Sequence, residues 1–369
     1  MVHFVWHLMK KRRMSIRLEA TRRLISPDAS HLAIRLFHVL HGNKYLAGVE
    51  YLFIVLCVAS SIYCNIHEDE MLKNLFMCVA YIIMGEGVRF WANNRLEAAA
   101  ILSELIIIAQ HVENSSDQDQ LSKLMKISNA AQFMFNAYYG SVVVMLVQFL
   151  VFPLVKRSLG ITIPVLPEND FFFWLLFTVE STFLVVGCVA ACGVLTFHLQ
   201  TTLCMAGLFI NISKHFLYIH CDQELNALIK YHIDLLVVSA KFRVLCSHWT
   251  FIQSSMMLFA LSINTFACIR GTRNPGIIMT IPTCLTFMGV FCFFGESLRT
   301  SSQKIGQSVY KSRWERTNGQ ARRKLSFVIC RSQVPAYLDA RLIGTLSVHT
   351  FAKILRLWYN FVQGLLNVL

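Results

Sequence analysis

The chain has 369 residues, of which 55% are hydrophobic and only 15% charged. Soluble domains carry roughly 25% charged residues, so this composition excludes a soluble enzyme, a disordered chain and a fibrous repeat, and points to a polytopic membrane protein. The net charge of +13 comes without a Gly-aromatic RNA motif or paired Cys/His finger spacing, which argues against a nucleic-acid partner; membrane proteins collect Lys and Arg in cytoplasmic loops.

A bilayer core needs about 20 mostly apolar residues per helix. In chain order, seven stretches meet that length: 45–63, 74–92, 135–155, 171–200, 251–269, 277–298 and 342–369. Residues 1–9 are apolar but too short for a cleavable signal, and Lys10-Lys11-Arg12-Arg13 follows them instead of preceding them. With seven crossings, 26 of the 34 Lys and Arg fall on the side of the N-terminus, five fall on the other side, and three belong to the last span. The preference of positive loops for the cytoplasm then predicts a cytoplasmic N-terminus and an extracellular C-terminus. The glycosylation patterns at Asn114 and Asn211 fall on the cytoplasmic side in this arrangement and are expected to carry no sugar.

The expected organisation is a cytoplasmic N-terminal segment (1–44), spans one to four (45–200), cytoplasmic helices (201–250), spans five and six (251–298), a second cytoplasmic region (299–341) and a last span (342–369). Leu225, Leu228, Ile229, His232, Leu235, Leu236 and Ser239 recur at helical spacing, and Ala321–Arg331 is similar, with Leu325, Phe327, Val328 and Ile329 among basic residues. A packed helical domain below the membrane and a simple extension of the spanning helices both fit; the packed domain fits better. Glu86/Arg89 and Glu296/Arg299 are three apart and can pair.

The last span carries the sharpest signal. His349, Lys353, Arg356, Asn360, Gln363 and Asn367 follow one another at intervals of four and three, which places them on one helical face. Leu346, Phe351, Ile354, Leu355, Leu357, Trp358, Phe361, Val362, Leu365 and Leu366 belong to the other face. A charge at the bilayer centre costs about 2.5–3.5 kcal/mol on insertion scales. Two arrangements relieve that cost: an aqueous conduit shared between subunits, or a buried seam in which Lys353 and Arg356 pair with Glu180, Glu86 or Glu296.

No Gly-x-Ser-x-Gly, His-Glu-x-x-His, phosphate loop or His/Cys cluster occurs, so neither an enzyme, a metal site nor a cofactor is expected. The chain has 28 Phe, 14 Met and 11 Tyr. Phe76, Tyr81, Met145, Phe149, Phe173, Trp174, Phe177, Met279 and Phe287 lie in the outer halves of spans two to six, with Glu180 as an intramembrane acid beside them. Aromatic and Met walls of this kind suit small volatile or lipid-like ligands.

The C-terminal third resembles the insect odorant receptors. The carrying residues are Gly295-Glu296, Ser301-Ser302, Val309-Tyr310, Trp314, Arg322-Arg323-Lys324, Arg331-Ser332-Gln333-x-Pro335, Leu338-x-Ala340, Leu346-Ser347-x-x-Thr350-Phe351 and Ile354-Leu355-x-x-x-Tyr359. The resemblance implies an all-α, seven-transmembrane, ligand-gated and non-selective cation channel in the cell membrane of an olfactory neuron dendrite. It implies a heterotetramer of tuning subunits with a shared odorant co-receptor, and a small volatile organic ligand. It places the pore on the last span at Asn360, Gln363, Gly364, Leu365, Leu366 and Asn367. It places the subunit anchor in cytoplasmic helices that include Tyr310, Trp314, Arg331, Ser332 and Pro335. Lys353 and Arg356 are unusual companions for a cation path. A gustatory-type homomer, a G-protein-coupled receptor and a transporter are the competing readings; neither an Asn-Pro-x-x-Tyr motif nor an internal repeat supports the last two.

Overall fold

A computed structural model of the chain describes residues 68–115, 170–218, 222–271, 275–312 and 318–368, with single residues at 18, 19, 22, 55, 140, 143, 147 and 314. The expected N-terminal segment and spans one and three lie outside the described residues, apart from those single positions. Among the described residues there are six helices: α1 (Glu68–Ser115), α2 (Asp170–Leu217), α3 (Asp222–Ile269), α4 (Pro275–Lys311), α5 (Gly319–Ser332) and α6 (Val348–Val368). A two-residue hairpin, β1 (Asp339–Ala340) with β2 (Gly344–Thr345), separates α5 from α6.

The helices α1, α2 and α3 have 48 residues each, about 72 Å at 1.5 Å per residue. A hydrocarbon core is only about 30 Å thick, so each helix has room for one apolar crossing and an extension of similar length. Segments long and apolar enough to cross lie in Phe173–Leu217, Asp222–Ile269 and Thr280–Lys311. The expected boundaries at 200, 250 and 298 fall inside unbroken helices.

The bundle is centred on α2, which packs against α1, α3 and α4. Small residues let α1 and α2 approach: a Cβ on Gly87 would lie 2.7 Å from the backbone nitrogen of Ala191. One turn away, Trp91 Nε1 donates to the Ala190 carbonyl at 3.1 Å. Close helix contact through small residues is the usual solution where lipid supplies no hydrophobic drive between helices. An aromatic layer fills the next level. Phe90 and Trp91 of α1, Phe197 and His198 of α2, Phe242 and Trp249 of α3, and Phe291 of α4 meet there, with His198 centred 4.9 Å from Phe291 and 5.3 Å from Phe242. Buried hydroxyls return to their own helices; Thr202 donates to the His198 carbonyl at 2.7 Å, Thr250 to Cys246 at 2.8 Å and Thr265 to Leu261 at 2.7 Å. That back-bonding satisfies a polar group where water is absent.

Asn318 caps α5 by accepting from the Ala321 N–H at 2.7 Å, and its amide donates to Asp222 at 2.6 Å. Lys324 donates to Asn226 at 2.8 Å, which ties α5 to the first turn of α3. His232 and His215 lie in this region. His232 is 1% exposed, and burial, with a smaller push from Arg331, lowers its pKa from 6.5 to about 4.

Sequence reading differs from the structure at the last span. Residues 342–347 form the hairpin turn, β2 and the approach to α6, and the helix begins at Val348. The cause is local: Ser347 Oγ accepts from the Thr350 N–H at 3.1 Å as an N-cap, and Gly344 takes φ +95°, which a β-branched residue would resist. Asn211, expected to carry no sugar, is 1% exposed within α2.

Gly295 is where α4 meets the start of α6. A Cβ there would collide with the Leu346 carbonyl oxygen and lie 2.8 Å from Leu346 Cβ. Gly295→Ala is expected to lower the stability of the detergent-solubilised protein by about 1–3 kcal/mol, read as an earlier thermal unfolding midpoint, while Gly364→Ala, which meets no neighbour within 4 Å, leaves it nearly unchanged.

The unfolded chain takes up a proton on His232 between pH 6.5 and about 4 that the folded chain refuses. Stability is therefore full above pH 6.5 and falls on acidification through that window, by on the order of 3 kcal/mol. Unfolding measured from pH 7 to 4 should show this slope in the wild type and a shallower one in His232→Leu.

Candidate functional site: a buried pair and a polar stripe

Two of the residues singled out in sequence meet directly. Tyr81 of α1 donates its hydroxyl to Glu180 Oε1 of α2 at 3.0 Å, and both are buried, at 1% and 5% exposure. A carboxylate in an apolar bundle needs such donors, because charge transferred from water without them is expensive. Near it on α2, Phe173 stacks on Phe177 with centroids 6.2 Å apart, and Trp174 meets Phe177 edge-on at 6.1 Å. Phe173 and Phe177 are half-buried and Trp174 is exposed. Phe287 is buried on α4, with its ring centred 4.6 Å from that of Phe291. Met145 and Phe149 lie outside the described residues, and Phe76 and Met279 are placed on α1 and α4 by backbone only.

The polar stripe of α6 is fully uncovered. His349, Lys353, Arg356, Asn360, Gln363 and Asn367 are all exposed. Ile354 is buried and Phe351, Leu355, Trp358, Val362 and Leu365 are half-buried, so α6 packs on the bundle through the face opposite the stripe. Phe351 lies over Gly289 of α4. Trp358 packs on a cluster made by Val79, Ala260, Leu261 and Cys284, and its Nε1 donates to Thr265 Oγ1 at 3.2 Å. Leu357, Phe361 and Leu366, expected on the opposite apolar face, instead flank the stripe and are 69%, 42% and 53% exposed. Gly364 meets nothing within 4 Å.

The buried-seam arrangement is excluded within the described residues. Glu86 pairs with Arg89 at 3.3 Å and Glu296 with Arg299 at 3.9 Å, as their three-residue spacing predicts, and Glu180 receives Tyr81. Lys353 and Arg356 make no ion pair among the described residues and stand on the outer face.

The profile of the family described as 7tm Odorant receptor matches residues 68–359. The chain belongs to the 7tm odorant receptor family. The receptor's fold also matches the insect olfactory receptor OR5 from Machilis hrabei, with a TM-score of 0.81, 10% identity, and coverage of 96% of this chain and 97% of that one. The structure of the same Machilis hrabei protein in complex with eugenol matches with a TM-score of 0.69, 12% identity, and coverage of 99% and 100%. In sequence, the receptor is similar to odorant receptor 67c of Drosophila melanogaster, 25% identical over 139 residues, 37% of this chain and 34% of that protein. It spans about a third of the length of the curated relatives it matches. The family is one of receptors and not of enzymes, and the described residues include three helices long and apolar enough to cross a membrane.

The residues expected in the receptor's anchor gather where α4, α5 and the hairpin meet, with different exposures. Tyr310 and Arg331 are exposed, Pro335 and Trp314 are half-buried, and Ser332 is buried against Gly306 of α4. Arg331 donates to the Val334 carbonyl at 2.9 Å. Ser302 accepts from the Ala336 N–H at 3.0 Å, and the Arg243 guanidinium lies 4.5 Å over the Tyr337 ring. Sequence reading missed Trp358 and Thr265 as a junction between α6 and α3. The signal available was an indole, with one polar atom to satisfy, in the middle of the apolar face.

The Tyr81–Glu180 bond is testable by a double-mutant cycle. Tyr81→Phe and Glu180→Gln are each expected to destabilise the solubilised receptor, with a coupling energy of about 1.5–3 kcal/mol between them; additive effects on the unfolding midpoint would show that the bond contributes nothing.

Proposed function

We propose that this receptor is an odorant-tuning subunit that binds small volatile, mainly apolar molecules and gates a non-selective cation channel together with a shared co-receptor, as a heterotetramer. In this reading seven crossings leave the N-terminus in the cytoplasm and the C-terminus outside, in the dendritic membrane of an olfactory neuron. The ligand site lies near Tyr81 and Glu180, with Phe173 and Phe177 as aromatic wall and Met145, Phe149, Phe76 and Met279 completing it. Asn360, Gln363 and Asn367 line the conduit, and Gly364, Leu365 and Leu366 lie at its narrow end. The α5 end of the bundle, with residues 201–250 and 299–341, serves as the cytoplasmic anchor between subunits.

The observation that carries this reading is the complete exposure of the α6 polar stripe on the side away from the bundle. Six polar residues facing lipid would be costly, whereas water and neighbouring subunits accept them, and a conduit of this kind requires several subunits. The match to the Machilis hrabei receptor in complex with eugenol makes a phenolic volatile a sensible first probe.

Expression with a co-receptor, tested against an odorant panel that includes eugenol, should give odorant-evoked cation current. Gln363→Ala and Asn367→Ala should change the Ca2+/Na+ permeability ratio by about twofold, with a smaller effect on the odorant concentration for half-response. Current of equal size from the chain alone would favour a gustatory-type homomer, and unaltered permeability in both variants would return the stripe to a packing role.

A further inference from the structure

The α6 stripe is not uniform along its length. Its first turns present His349, Lys353 and Arg356, and its later turns present only the amides Asn360, Gln363 and Asn367. No Asp or Glu follows Asp339 in the chain, so every formal charge on this helix is positive. Lys353 and Arg356 are three residues apart on one side, exposed, and without an ion pair among the described residues. The acids that could have reached them are engaged at Arg89, Arg299 and Tyr81.

We infer that Lys353 and Arg356 form a cationic collar that fits a partner subunit presenting acidic side chains at the same level of its pore helix, and that disfavours a second copy of this chain in that place. The inference rests on the pore reading above. Two copies facing one another across an axis would set like charges together within about one Debye length, roughly 8 Å at physiological salt, and surroundings drier than bulk water strengthen the repulsion. An acidic partner turns the same geometry into attraction and removes the unpaired charge. The flanking Leu357, Phe361 and Leu366 are exposed on either side of the stripe, so apolar contact is available to either neighbour and the charges make the choice between them.

The test uses the full chain with Lys353→Gln/Arg356→Gln and, as a sign control, Lys353→Glu/Arg356→Glu. Expressed alone and solubilised, the Gln variant should form tetramers at least about threefold more than wild type, while the Glu variant should co-purify with the co-receptor less well than either. Unchanged self-assembly in the Gln variant and undiminished co-purification with the co-receptor in the Glu variant, at equal surface labelling, would overturn the collar. If Gln363→Ala and Asn367→Ala still shift permeability in that case, the pore reading stands and the collar alone fails; if they do not, the pore reading fails first.

Discussion

The rotation of α6 about its own axis depends on one close approach. At Gly295 the backbone of α4 comes so near to Leu346 that no side chain fits between them. Immediately afterwards Ser347 caps the helix, and Phe351, one turn further, settles over Gly289. Three contacts within six residues leave α6 one way to lie. Because its polar residues recur at three and four, that single choice turns all of them away from the bundle together.

The rest of the bundle shows how polar groups are kept inside an apolar interior. Threonine hydroxyls fold back on their own helix carbonyls, Trp91 donates into the backbone of the neighbouring helix, and Glu180 is held by a phenol. One cluster holds α6 to three other helices. Val79 of α1 packs with Ala260, Leu261 and Cys284, and Trp358 of α6 rests on the same group while donating to Thr265.

Much of this was legible in the residues themselves. The spacing of Glu86 with Arg89 and of Glu296 with Arg299 foretold their pairs, and the periodicity of 349–367 foretold a two-faced helix. The hairpin of Asp339–Ala340 with Gly344–Thr345 was not legible, since two-residue strands carry no period and the apolar run 342–347 reads as the start of a span. Nor could spacing decide whether Lys353 and Arg356 met a carboxylate across the bundle or faced outward.

By itself, then, the sequence determined the membrane class, the helical character and the amphipathic face of the last helix, for these follow from composition and from a period of 3.6 residues that any local stretch displays. Which way that face points, which acid meets Tyr81 and where the final helix begins were decided by tertiary structure alone. Each depends on contacts between residues far apart in the chain: Tyr81 and Glu180 are separated by 99 positions, and Trp358 and Thr265 by 93. A local pattern states what a helix can bury, and only the neighbouring helices settle what it does bury.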